Sequence, residues 1–208
     1  FVVAKNCDIN TIKLYIASGW NVNEHDESGM TALHLAAKEG NIDTVNTLIR
    51  NGANVNERND RGTTALHEAV KKGHIDTVNT LIRNGANVNA RDTLWAVYLG
   101  HIDTLNTLIT HGANVNERND RGATALHLAA IKGHIDIMNT LIANGANVNE
   151  RSNSGSTPLH GAAEEGHIDT VDTLIANGAK VNAQDDHGRT ALHYATKKGH
   201  INIVNTLI

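Results

Sequence analysis

The chain has 208 residues and a net charge of −4, from 18 basic and 22 acidic side chains. Its single cysteine, Cys7, excludes an internal disulfide, and no apolar run is long enough to form a transmembrane helix. No clustered basic excess marks a nucleic-acid footprint, and aromatic residues make up only 3%, so the core must be built from Ala, Leu, Ile and Val.

In chain order, residues 1–25 read as the rear part of one structural unit. Phe1 aligns with His34, inside a first helix, and Cys7 stands at the Gly40 position, where it reads as a free structural thiol. Gly19 opens the loop G-W-N-V-N. The loop then recurs as G-A-N-V-N from Gly52, Gly85, Gly112, Gly145 and Gly178, at intervals of 33, 33, 27, 33 and 33 residues. T-A-L-H or T-P-L-H recurs from Thr31, Thr64, Thr124, Thr157 and Thr190. The chain therefore divides as one array into 1–25, 26–58, 59–91, 92–118, 119–151, 152–184 and 185–208. Neither end carries a polar cap, so the array reads as a fragment of a longer one.

The copy at 59–91 shows the logic. Asn59-Asp60-Arg61-Gly62 is turn chemistry, and Thr64 can cap a helix whose apolar face is Leu66, Ala69 and Val70. Gly73 suits the left-handed residue that ends it. A second helix follows, with Asp76 at its positive end and Val78, Leu81 and Ile82 on one face. Gly85 stops it, and Val88 points back to the core. Helices this short are marginal alone, so the units must stack.

The pattern D-x-x-G-x-T-x-L-H-x-A-A-x-x-G-H, a second helix, then G-A-x-V-N resembles the ankyrin repeat over essentially the whole chain. That resemblance implies an all-α ankyrin-repeat solenoid of stacked helix-turn-helix units with β-hairpin loops. Where the family commonly has T-P-L-H, proline survives only at Pro158, and Ala32, Ala65, Ala125 and Ala191 replace it. Proline at the first helical position helps without being required.

The copy at 92–118 lacks six residues, corresponding to Asp60–Ala65 of its sibling. Either residues are missing between Asp92 and Thr93 or the copy is genuinely short. Joined Cα atoms would lie about 3.8 Å apart.

Thirteen histidines raise the question of metal. Ten recur at two scaffold positions: His34, His67, His127, His160 and His193, then His74, His101, His134, His167 and His200. Pairs seven apart are not a helical zinc pair, and equivalent residues of adjacent units stand too far apart to share an ion. They read as partners for backbone groups between repeats. His25, His111 and His187 read as solvated loop residues. Ser, His and Asp follow the repeat rather than breaking it, so no catalytic set, metal or cofactor is expected.

Two sets of positions vary. One precedes the glycine after the first helix: Lys38-Glu39, Lys71-Lys72, Tyr98-Leu99, Ile131-Lys132, Glu164-Glu165 and Lys197-Lys198. The other is the loop tip, including Met30, Arg61 and Arg121. In ankyrin proteins such positions commonly line a concave partner-binding surface. Tyr98 and Leu99, with Trp95 one turn earlier and Ile131 next, form an apolar step rimmed by charge. The competing reading is repair, in which Trp95 and Tyr98 fill space vacated by the missing hairpin. The expected function is a non-catalytic, monomeric module that binds a protein, without nucleic acid or membrane insertion. The alternative is a regulatory or targeting arm of a larger enzyme, channel or secreted effector. The single cysteine suggests an intracellular location. Richness in Lys, Asn and Ile hints at an AT-biased genome, as in an intracellular bacterium or large virus, which would make the partner a host protein.

Overall fold

A computed structural model describes residues 9–208, with thirteen α-helices among them. They are α1 (Ile9–Ala17), α2 (Ala32–Glu39), α3 (Ile42–Arg50), α4 (Ala65–Lys72), α5 (Ile75–Arg83), α6 (Ala90–Tyr98) and α7 (Ile102–Thr110). Then come α8 (Ala125–Lys132), α9 (Ile135–Ala143), α10 (Pro158–Glu165), α11 (Ile168–Ala176), α12 (Ala191–Lys198) and α13 (Ile201–Leu207). Phe1 and Cys7, and the readings made of them, lie outside the described residues. Two compact units are distinguished: residues 1–88 with 110–112, and residues 89–109 with 113–208. The main boundary falls at Asn89, the residue that caps α6.

Each unit stacks pairs of antiparallel helices. The first helix of a pair is called inner here: α2 and α4 in unit 1, and α6, α8, α10 and α12 in unit 2. Inner helices pack side by side because the face between them is alanine. Ala36, Ala37, Ala69, Ala129, Ala130, Ala162 and Ala163 are fully buried. With no side chain beyond Cβ, they let the backbones approach closely. The core between inner and outer layers is aliphatic: Leu33, Leu66, Leu126 and Leu159 meet Val45, Leu48, Val78, Leu81, Met138, Leu141, Val171 and Leu174. Val88 is only half-buried, whereas Val22, Val115 and Val148 are buried.

Threonine and histidine build one device at the head of the inner helices. In α8 the N–H of Thr124 donates to Nδ1 of His127 at 3.2 Å, in a reciprocal capping box. An N–H can only donate, so Nδ1 accepts and the proton sits on Nε2. That Nε2–H reaches the Ser156 carbonyl of the next repeat at 3.0 Å. His34 and His160 repeat it toward the Thr63 and Arg189 carbonyls, each at 3.0 Å. Histidine thus caps its own helix and ties one repeat to the next.

The second histidine reaches backward. Nε2 of His74, His167 and His200 donates to the carbonyls of Lys38, Ile131 and Glu164 at 3.0–3.1 Å. The His167 ring lies against Gly133 so closely that a Cβ there would come within 2.9 Å of it, and Gly133 also sits at φ 67°. At the short copy the fit is looser, with His134 3.6 Å from the equivalent point on Gly100.

Asparagine links the loops. Nδ2 of Asn23, Asn56, Asn116 and Asn149 donates to Gly52, Gly85, Gly145 and Gly178 carbonyls of the following copy at 2.8–3.0 Å. Each Oδ1 accepts a backbone N–H two residues beyond that glycine.

The outward loops are turns rather than paired strands. Among the described residues the one β-bridge is His25–Thr31. The arms are only a few residues long, and a side chain does the work of a ladder. Oδ1 of Asn59 accepts from the N–H of Arg61 and of Thr63, both at 3.0 Å. Asp26, Asn119 and Asp185 act in the same way.

Helix α6 runs unbroken through Asp92 and Thr93. Residues 92 and 93 lie within one continuous helical turn. Its helix start is rebuilt from what remains. Asn89 takes the cap position, its side chain accepting from Arg91 N–H at 3.0 Å, and Asp92 accepts from Asn89 N–H at 3.0 Å. Asn-x-x-Asp replaces Thr-x-x-His, and, counted back from the glycine that follows, the helix begins two residues earlier than in its siblings.

Candidate functional site

In unit 2 the inner helices stand in the order α6, α8, α10, α12. Alanines hold one face of each helix against its neighbours, so the other positions face outward. Three columns of variable side chains result. The residue after the L-H position is Trp95, Leu128, Gly161 and Tyr194; the next column is Tyr98, Ile131, Glu164 and Lys197; the last is Leu99, Lys132, Glu165 and Lys198.

The apolar end of this face lies on α6 and α8. Tyr98 is 47% exposed, Leu99 39% and Ile131 41%, among the few large apolar side chains so open to solvent. The Trp95 and Tyr98 rings meet edge to face, centroids 6.0 Å apart, a geometry their quadrupoles favour. Lys132 Nζ lies 4.2 Å from the Tyr98 centroid, close enough for cation–π attraction. Between the two helices is an open depression of about 330 Å³, lined by Arg91, Leu94, Trp95, Tyr98 and Leu128. The rings therefore edge an open apolar space and do not fill it.

Asp92, next to Arg91 in the chain, is fully buried at the head of α6. Burial is the main cause that pushes its carboxyl up to about 7; the Asn89 N–H and the Arg91 charge oppose this.

A second, more enclosed groove of about 260 Å³ lies where Ile131, Gly161, Glu164, Glu165, Tyr194 and Arg121 of the turn converge. Gly161 opens it: a Cβ there would stand 2.7 Å from Ile131 Cγ1. Tyr194 is held by Asp185, whose Oδ2 accepts its hydroxyl at 2.7 Å and pairs with Arg189 at 2.8 Å. Burial alone would raise the Asp185 pKa. The bonds from Arg189, Tyr194 and the turn N–H groups outweigh it and hold the carboxyl well below its usual range. Glu164 pairs with Lys198 at 3.5 Å.

Unit 1 carries the remaining candidates. Glu39, Lys72 and Arg61 are exposed and Lys38 is half-buried. Lys71 pairs with Glu68 at 3.3 Å. Met30 is taken up by its neighbour, its sulfur accepting from Asn59 Nδ2 at 3.0 Å. Of the residues singled out in the sequence, Trp95 and Tyr98 meet ring to ring and Lys132 lies over Tyr98. Sequence reasoning passed over the Leu35, Glu68, Leu128, Gly161 and Tyr194 column, and Arg91 and Leu94. The column's variation at L-H-x was the readable signal.

A family model described as "Ankyrin repeats (3 copies)" matches residues 1–92 and again 93–185, and one described as "Ankyrin repeat" matches 187–208. The chain belongs to the ankyrin repeat family. Both long matches meet at the short copy. Among solved structures, the crystal structure of the human ASB11 ankyrin repeat domain is similar, with a TM-score of 0.89 and 26% identity. That likeness covers 99% of this chain and 96% of that one. Among curated proteins none matches. Ankyrin repeats are generally protein–protein interaction modules, and the fold is generally a non-catalytic scaffold. No helix among the described residues is long and apolar enough to cross a membrane.

Proposed function

We propose that this ankyrin array binds a protein through its inner-helix face, the concave one in the family, with the principal contact on unit 2. The observation that carries this is the open apolar depression edged by Trp95 and Tyr98. Rings recruited only to repair a missing hairpin would close the space beside them, and about 330 Å³ stays open. Exposed aromatics around a depression, with charge at the rim, have the composition of interface hot spots. The family's general role as an interaction scaffold supports the same reading.

Changing Tyr98 and Leu99 together to Ala tests it. Partners captured on the immobilised protein and identified by mass spectrometry are expected to be lost, at a cost of about 2–4 kcal/mol in affinity. The helical circular dichroism should stay that of the parent. Unfolding of the double variant would instead assign both side chains to repair.

A further inference from the structure

Charge in unit 2 is segregated by face. The outer helices α7, α9, α11 and α13 carry Asp103, Asp136, Asp169 and Asp172, and no Lys or Arg. The inner helices carry Arg91, Lys132, Lys197 and Lys198 against Glu164 and Glu165, with Asp92 buried. Four cations against two acids make this face +2, on a chain whose net charge is −4. Two of the cations border the apolar depression: Arg91 lines its wall, and Lys132 lies over Tyr98. Of the two acids, Glu164 already faces Lys198.

We propose that unit 2 docks an acidic segment of a partner protein. One bulky apolar side chain of that segment, leucine or phenylalanine, enters the depression between α6 and α8, and flanking carboxylates pair with Arg91 and Lys132. This rests on the inner-helix face being the binding surface and adds the chemistry of what binds there. The apolar anchor supplies the desolvated centre, and the guanidinium and ammonium supply charge-assisted bonds at its rim. The acidic outer face repels the same segment, so the field of the unit steers it to one side.

The test uses three labelled twelve-residue peptides and the whole protein, read by fluorescence anisotropy. The first is all Asp and Glu around a central Phe-Leu pair. In the second every acid becomes Lys. The third keeps the acids and replaces Phe-Leu by Gly-Ser. The first peptide is expected to bind at least about tenfold tighter than either twin, and to weaken with added salt. Lys132→Glu and Tyr98→Ala should each reduce its binding about tenfold or more while leaving the thermal midpoint near the parent's. Preference for the Lys peptide overturns the acidic partner but leaves the inner-face reading standing. Binding of the first peptide that neither variant weakens places it elsewhere and counts against both. Failure of all three peptides to bind overturns the proposal, while the capture experiment on the Tyr98 and Leu99 variant still judges the surface.

Discussion

Asp92 is the residue whose role differs most from its siblings. Counted back from the glycine after the helix, it stands where its sibling has Ala65, which needs no charge compensation; Asp92 caps α6 from a fully buried position. Its folded-state pKa, about 7, lies above the usual 3.8. Folded protein therefore holds the proton more tightly than unfolded chain, and stability is greatest below pH 4 for this group. It declines as pH rises through 7. Asp92→Asn keeps the oxygen that Asn89 N–H donates to and removes the charge. The variant is expected to exceed the parent by up to ~4 kcal/mol above pH 8, converging with it near pH 4. Urea titrations at both pH values would measure this, and a difference independent of pH would rule the account out. Asn-x-x-Asp is a helix-start pattern visible in the sequence. Alignment against the siblings hid it, because alignment marks the helix start as lost.

At the scale of the element, inner helices are defined by their caps. Thr157 before Pro158 has φ −100° and ψ 167°; Thr124 before Ala125 has φ −97° and ψ 173°. Both lie in the extended region that a following proline demands. The first helical N–H has no intrahelical acceptor, so proline removes nothing there. Ala125→Pro should therefore stabilise the protein by about 0.5–1 kcal/mol, by restricting the unfolded chain. A denaturant midpoint that falls would show that position 125 cannot take the Pro158 geometry. The boundaries of these helices were legible because Thr, Gly and the apolar spacing all act locally. The turns were less so: their hairpin form was expected from family resemblance, but single Asx side chains close arms too short to ladder.

Over the whole molecule, the ties between repeats are polar and recur. His34, His127 and His160 have lowered pKa values, first through burial, and each bridges one copy to the next. Unfolded chain takes up protons on these groups near pH 6.5 while folded protein resists. Their stabilising effect is complete above 6.5 and is lost as pH falls toward the lowered values. This opposes the Asp92 contribution, so the Asp92→Asn background isolates it. In that background the urea midpoint is expected to drop between pH 7 and pH 5, and His127→Gln should flatten the drop. A profile already flat without the second change would refute the histidine linkage. In a stack each unit contacts only its neighbours, so weakening one bridge weakens an interface on which both neighbours depend.

The sequence by itself determined the repeat, its 33-residue period, the two helices per copy and the family, because caps, turns and helical faces are set by residues close in the chain. It also placed Trp95, Tyr98, Leu99 and Ile131 on one face. Only the tertiary structure decided that Trp95 and Tyr98 edge an open depression, that Met30 is occupied by Asn59, and that Gly161 seats Ile131. Each of these depends on side chains from different copies meeting across an interface. A repeat alignment gives their columns without giving the distances between them.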